Sequence, residues 1–318
     1  MTIVTRRRDL LTAGLAIGFA GLTPLAMPRL AAAQTAATPG TVRHARGETR
    51  LAKAVGKVLC FDMASLDTLD VLGVPVAGAP TGLKPSHLAR YDGPDYARIG
   101  TLFEPDYEAV NAADPDLIIV GGRSAPKYAE LSAIAPTIDM TVKTERFIDS
   151  ALDNAGTLGR IFGKDAEVKA RADRLRASIA DLRTVAAGAG RGLLVLTTGG
   201  KLSAYGPGSR FGVLHTEYGI VPAADGLDTA NHGQAINFEF ILQTNPDWLF
   251  VIDRDSAIGR EGQSARQLLD NDIVRRTTAW QKGQVAYLDA ANWYLIGGGL
   301  NALQKDVDGI EAALTGKA

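Results

Sequence analysis

The chain has 318 residues, 46% of them hydrophobic and 22% charged, which is ample for packed cores and longer than one core ordinarily serves. Its 34 Lys and Arg stand against 35 Asp and Glu, so it lacks the basic excess of a nucleic-acid-binding domain. Beyond the N-terminus no apolar run is long enough to span a bilayer.

The first element reads as an export signal. Arg6, Arg7 and Arg8 precede Asp9, Leu10 and Leu11, an apolar stretch runs over 11–25, and Ala31-Ala32-Ala33 supplies small residues for a signal peptidase. The Arg-Arg-x-Leu-Leu form is that of twin-arginine signals. A membrane anchor is the alternative, but the apolar run is short for a bilayer. The expectation is a signal peptide over 1–33, cleaved near Ala33, and a periplasmic protein. Its loss removes four arginines and one aspartate, which takes the net charge from −1 to −4. Cys60, the sole cysteine, lies well beyond the cleavage site, so no lipoprotein anchor and no internal disulfide are expected. It falls in an apolar run, which predicts a buried strand residue.

Residues 34–50 read as a polar, Ala/Thr-rich lead-in. Strand and helix signals then alternate: strands over 57–61, 74–77 and 117–120, with a helix over 64–72. This alternation predicts parallel sheets with helices on both sides. In the segment 165–187, Val168, Ala172, Leu175, Ile179, Leu182 and Val185 recur every three or four residues, which predicts one amphipathic helix with Asp165 as N-cap. A second alternating segment follows, with strands over 193–198, 248–252 and 285–288 and helices over 238–243, 265–269 and 300–314. The expected organisation is an N-terminal α/β lobe over 34–164, an interlobe helix over 165–188 and a C-terminal α/β lobe over 189–318.

The two halves repeat a pattern. Glu108 precedes Asp114-Pro115-Asp116, an aliphatic strand and Arg123; Glu239 precedes Asn245-Pro246-Asp247, a second such strand and Arg254. The Glu-to-Pro and Pro-to-Arg spacings are the same in both. Proline is expected to end each helix, and each Arg to stand at the carboxyl end of a buried strand, where open α/β sheets bind ligands. Arg210, in the glycine-rich run 206–212, is a third arginine at such a position. Three guanidinium groups converging on a cleft would select an anion, although any single Arg is more commonly a solvated surface residue.

His44, His87 and His215 stand in contexts expected to be structural or exposed; His232 lies in a polar loop, and no zinc spacing is present. Tyr294, between a strand and Gly297-Gly298-Gly299, is free to face a ligand. No nucleotide-phosphate loop and no nucleophile elbow is present.

Three stretches carry a resemblance: residues 201–212, His232-Gly233 with Ile236-Asn237, and Phe250 to Arg254. Tyr287-Leu288-Asp289 with Trp293-Tyr294-Leu295 adds to them. In these the chain resembles the periplasmic ferric-siderophore-binding proteins of ABC importers, nearest the branch for catecholate siderophores. The resemblance implies two Rossmann-like lobes joined by one long rigid helix, with the ligand cleft between them. It implies that Arg123, Arg210 and Arg254 contact catecholate oxygens, with Tyr205 and Trp293 at the ligand site. His232 and Tyr294 would ligate iron(III) when the siderophore leaves positions open. Glu108 and Glu239 would dock on the inner-membrane permease. The iron would arrive within the siderophore complex, with no intrinsic cofactor, and the protein would be a monomer that catalyses no reaction. The alternatives are a binding protein for another iron chelate, haem or cobalamin and, more distantly, an enzyme on a nucleotide-binding α/β fold.

Overall fold

The structure is a computed structural model and describes residues 40–316; the signal peptide and its cleavage site lie outside them. Within the lead-in expected over 34–50, residues from Gly40 on form a hairpin of β1 (Gly40–His44) and β2 (Gly47–Leu51). Long-range polar contacts hold it: Arg46 Nε donates to Asp139 at 2.9 Å, and Thr49 Oγ1 to the Thr137 carbonyl at 2.7 Å.

The first lobe contains a five-stranded parallel sheet. Its strands are β3 (Val58–Cys60), β4 (Gly78–Ala79), β5 (Ala97–Arg98), β6 (Leu117–Val120) and β7 (Thr137–Asp139), in the order β5-β4-β3-β6-β7. Every residue of β6 is buried, as the all-aliphatic run predicts, and Cys60 is buried in β3. The strand expected over 74–77 pairs later, at Gly78–Ala79. Gly73, at φ +67, turns the chain out of the preceding helix, and Pro75 has no N–H to give a ladder.

The second lobe is mixed rather than all parallel. Its strands are β8 (Arg191–Thr198), β9 (Lys201–Tyr205), β10 (Val221–Pro222), β11 (Gln234–Ile236), β12 (Trp248–Asp253) and β13 (Val285–Tyr287). They run β11-β9-β8-β12-β13, with β10 beside the start of β8, and the β11–β9 and β9–β8 pairings are antiparallel. Gly199 and Gly200, at φ +53 and +76, make the two-residue turn that reverses β8 into β9; positive φ at both positions suits the twist of a tight hairpin.

Between the lobes runs the Asp165–Ala186 helix of 22 residues, about 33 Å long. Val168, Ala172, Leu175, Ile179 and Leu182 are buried as expected, with Ala186 rather than Val185 completing the stripe. Asp165 is the first helical residue and not the cap. Only Gly163 (φ +64) and Lys164 separate it from the preceding Phe147–Phe162 helix, and Lys164, at the cap position, makes no side-chain cap. Asp165 and Glu167 instead place negative charge in the first turn, which favours the helix dipole.

The Leu300–Thr315 helix leaves the second lobe and packs on the interlobe helix and on Met63–Val71. Its N-terminus has no cap of its own. Asp67, fully buried on the Met63–Val71 helix, accepts from the N–H groups of Asn301 (2.9 Å) and Ala302 (3.1 Å), and Thr68 from that of Leu300 (3.2 Å). The other Asp67 oxygen meets His87 Nε2 at 2.7 Å. A carboxylate from one element thus satisfies the orphan donors of another.

Candidate functional site

The repeated units are built alike. Asp106 and Asn237 cap the short helices Tyr107–Ala112 and Phe238–Thr244 through side-chain oxygens. Each helix stops before an Asx-Pro pair, and the Asx takes the left-handed conformation, φ 45 at Asp114 and 41 at Asn245, rather than an extended one. Asp116 and Asp247 then accept backbone N–H groups that lead into the neighbouring strands, from Lys57 (2.8 Å) and Arg191 (2.8 Å). This fixes β6 and β12 so that Arg123 and Arg254 emerge at their carboxyl ends. Glu108 and Glu239 lie exposed in the first turns of the two helices.

Arg123, Arg210 and Arg254 converge on one residue, Tyr294. Arg254 Nε donates to the Tyr294 hydroxyl at 2.8 Å and its Nη1 to Thr198 Oγ1 at 3.0 Å. Arg123 crosses from the first lobe and donates to the carbonyls of Tyr294 (2.5 Å) and Leu295 (3.3 Å). Arg210 reaches the Tyr294 carbonyl at 3.4 Å and lies over the rings of Phe211 and Tyr294. All three guanidinium carbons stand 4.9–5.3 Å from the Tyr294 ring centre, within cation–π range. Tyr294 sits in the single π-turn Asn292–Ile296, closed by Gly297 at φ +68; such turns wind the helix locally wider and recur at functional sites.

Few carboxylates offset the arginines: the cleft also holds Asp62 and Asp306, and burial raises the pKa of both. Among the described residues neither Arg123 nor Arg210 makes an ion pair, and Arg254 has only Asp255 at 3.9 Å. Burial, and then the nearby Arg123 charge, lower the pKa of Arg210. Burial alone would push the Tyr294 phenol up; the Arg254 hydrogen bond and the charges of Arg254, Arg123 and Arg210 outweigh it and bring the phenol below its usual range. Three cations held close together in a partly desolvated cleft repel one another, and an arriving anion removes that repulsion.

Arg123 and Arg210 line an interlobe cleft with an empty volume of about 940 Å³, continuous with the surrounding solvent, between the first-lobe loops after β3 and β6 and the second-lobe segments around Arg210 and Trp293. Trp293 forms part of its floor, buried against Phe211 and Tyr218. An adjoining pocket, open to solvent at its mouth, shares Met63, Leu102, Arg123 and Leu295 with this cleft and is lined also by Arg254, Tyr294, Leu83 and Phe103. The structure therefore brings together Arg123, Arg210, Arg254, Trp293 and Tyr294.

Tyr205 and His232 stand apart from that lining. Tyr205 is only 2% exposed and packs edge-on against Phe211; burial raises its phenol. His232 lies exposed on a turn. The next residue, Gly233 (φ +66), abuts the Tyr205 ring so closely that an added Cβ would stand 2.9 Å from it, which packs this turn against Tyr205. Leu83, Phe103 and Thr198 are site residues that sequence reasoning missed. Thr198 had a signal, the Gly-Gly turn beside it; Leu83 and Phe103 had none, since exposed loop apolars carry no periodicity.

Two α/β lobes, one connecting helix and an arginine-lined cleft between the lobes are the architecture of a bilobal solute-binding protein. The chain belongs to the periplasmic binding protein family, whose model matches residues 58–291. It is 42% identical over 280 residues to the petrobactin-binding protein YclQ of Bacillus subtilis, covering 85% of this chain and 88% of that one. The YclQ crystal structure aligns at a TM-score of 0.84, covering 87% of this chain and 99% of the other. The ferric-anguibactin-binding protein FatB of Vibrio anguillarum is 32% identical over 285 residues, covering 86% and 87%. The catecholate-siderophore-binding protein VctP of Vibrio cholerae aligns at a TM-score of 0.82 and 31% identity, covering 86% and 100%.

Proposed function

We propose that the chain captures an anionic iron(III)–siderophore complex of the catecholate type in the arginine-lined cleft and passes it to an ABC permease, as a monomer and without catalysing a reaction. The observation that carries this reading is the convergence of three guanidinium groups on one phenol. Ferric catecholates are net anions, which arginine forks hold through charge-assisted hydrogen bonds. Iron(III) is a hard ion that prefers oxygen donors, and Tyr294 offers one at the centre of the site. His232, on the exposed turn that precedes Gly233, is the second proposed donor. The binding of petrobactin, ferric anguibactin and catecholate siderophores by the relatives supports the ligand class. The twin-arginine signal over 1–33 supports export to the periplasm, and the position of Cys60, inside β3, supports a protein without a lipid anchor.

Tryptophan fluorescence tests the ligand. Trp293 adjoins Tyr294 in the cleft, so a coloured ferric catecholate quenches it, saturating at one complex per chain, and Trp293→Phe loses most of the quench. Saturable quenching by haem or cobalamin in place of ferric catecholates contradicts the proposal.

Delivery rests on Glu108 and Glu239, one exposed carboxylate on each lobe at equivalent places. Each also favours its own helix dipole, but the recurrence in both lobes suits docking to a permease with two similar halves. The double change to Ala leaves siderophore affinity at the parent value and lowers transport and transporter-stimulated ATP hydrolysis several-fold. Transport equal to the parent would reduce the pair to helix-end residues.

A further inference from the structure

Four large apolar side chains are exposed among the described residues: Leu83, Phe103, Tyr107 and Val221. Two of them, Leu83 and Phe103, line the mouth of the cleft beside Arg123, Arg254 and Tyr294. Both stand on loops that are tied down. Lys84 is buried beneath the first loop, where its ammonium donates to the Pro80 carbonyl (2.6 Å), the Gly82 carbonyl (3.3 Å) and Asp92 (2.6 Å). Thr81 joins that loop to the second, donating N and Oγ1 to the Gly100 carbonyl at 2.7 and 2.9 Å. In the second loop Thr101 Oγ1 accepts from the N–H groups of Phe103 (3.2 Å) and Glu104 (3.0 Å), which closes a turn under the phenyl ring. Leu83 also spans the opening: a Cβ on Gly259 of the second lobe would meet its Cδ2 at 3.5 Å.

A loop already ordered loses little conformational entropy on contact, and apolar groups held exposed beside a charged site mark a contact surface. The cleft is thus cationic within and apolar at its mouth. A catechol ring has the matching polarity, with anionic oxygens on one edge and apolar carbon on the other and on both faces.

We infer that Leu83 and Phe103 form an apolar lip that takes the aromatic ring of a catecholate arm whose oxygens Arg123 and Arg254 hold. This rests on the ferric-catecholate reading above. The probe is the iron(III) complex of 2,3-dihydroxybenzoate, titrated by tryptophan fluorescence into the parent, Leu83→Ala with Phe103→Ala, and Phe103→Tyr. Both side chains are exposed, so truncation leaves thermal unfolding near that of the parent. The double Ala variant loses about tenfold in affinity, and Phe103→Tyr, which keeps an aromatic face, stays within about twofold. A double variant within twofold of a parent that binds overturns the lip alone. So does a Phe103→Tyr loss as large as that of the double variant. A parent that does not bind the probe overturns the ferric-catecholate reading itself, and the lip with it.

Discussion

Replacing Arg210 or Arg254 with Ala weakens binding of a ferric catecholate by about 1.5–3 kcal/mol each, the scale of a hydrogen bond to a charged group. Arg254 is fixed on both sides, by the Tyr294 hydroxyl and by Thr198, so its fork is pre-set for an anion. Arg210 lies over the Phe211 and Tyr294 rings, and its truncation removes ring contact as well as charge. The losses are not additive, because removing one guanidinium also relieves repulsion among the rest, and residues sharing partners couple. Arg→Lys at either position recovers only part of the affinity, since an ammonium keeps the charge and loses the planar fork. Fluorescence titration at two salt concentrations measures both effects. Unchanged affinity in both Ala variants would remove these arginines from the site.

Tyr294→Phe removes the phenol and keeps the ring, and its effect depends on the chelate. With an iron(III) complex that leaves two coordination positions open, the parent develops a visible phenolate-to-iron band. The variant shows no band and binds at least tenfold more weakly. With a chelate that fills all six positions the two differ little. Ligation requires the phenolate, so binding of the open complex releases a proton. Affinity therefore rises with pH while Tyr294 is protonated in the free protein and levels off once it is ionised. The Arg254 hydrogen bond and the three positive charges bring that levelling below the range of an ordinary tyrosine, against the opposing effect of burial. Equal spectra and affinities for the open complex would rule out ligation by Tyr294.

The repeated unit was legible because it rests on local chemistry: a capped helix, an Asx-Pro stop, an aliphatic strand and an arginine at its end. Buried strands such as Leu117–Val120 and the stripe of the Asp165–Ala186 helix were legible from hydrophobic runs and periodicity. The Phe147–Phe162 helix carries the same signal, with Ile148, Ala151, Leu152, Ala155 and Leu158 buried. Gly199-Gly200 is a local signal for the β8–β9 hairpin, whereas the alternation of strands and helices predicts parallel pairing throughout.

Other features had no local signal. Asp67 capping the Leu300–Thr315 helix joins residues more than 230 positions apart, and only tertiary packing creates that bond. The return of the last helix to the interlobe helix is likewise invisible in a sequence that places it in the second half. Which arginines meet, and that Tyr294 is where they meet, depends on two chain segments crossing the cleft. That Tyr205 packs behind Phe211 and not in the cleft lining depends on the same information.

The most direct measurement of the central claim is an anomalous difference map at the iron edge from crystals of the protein grown with a ferric bis-catecholate. The account predicts one strong peak per chain in the interlobe cleft, ringed by Arg123, Arg210 and Arg254 and within bonding reach of the Tyr294 hydroxyl. A peak elsewhere on the molecule, or a cleft without iron when the complex is in excess, would contradict it.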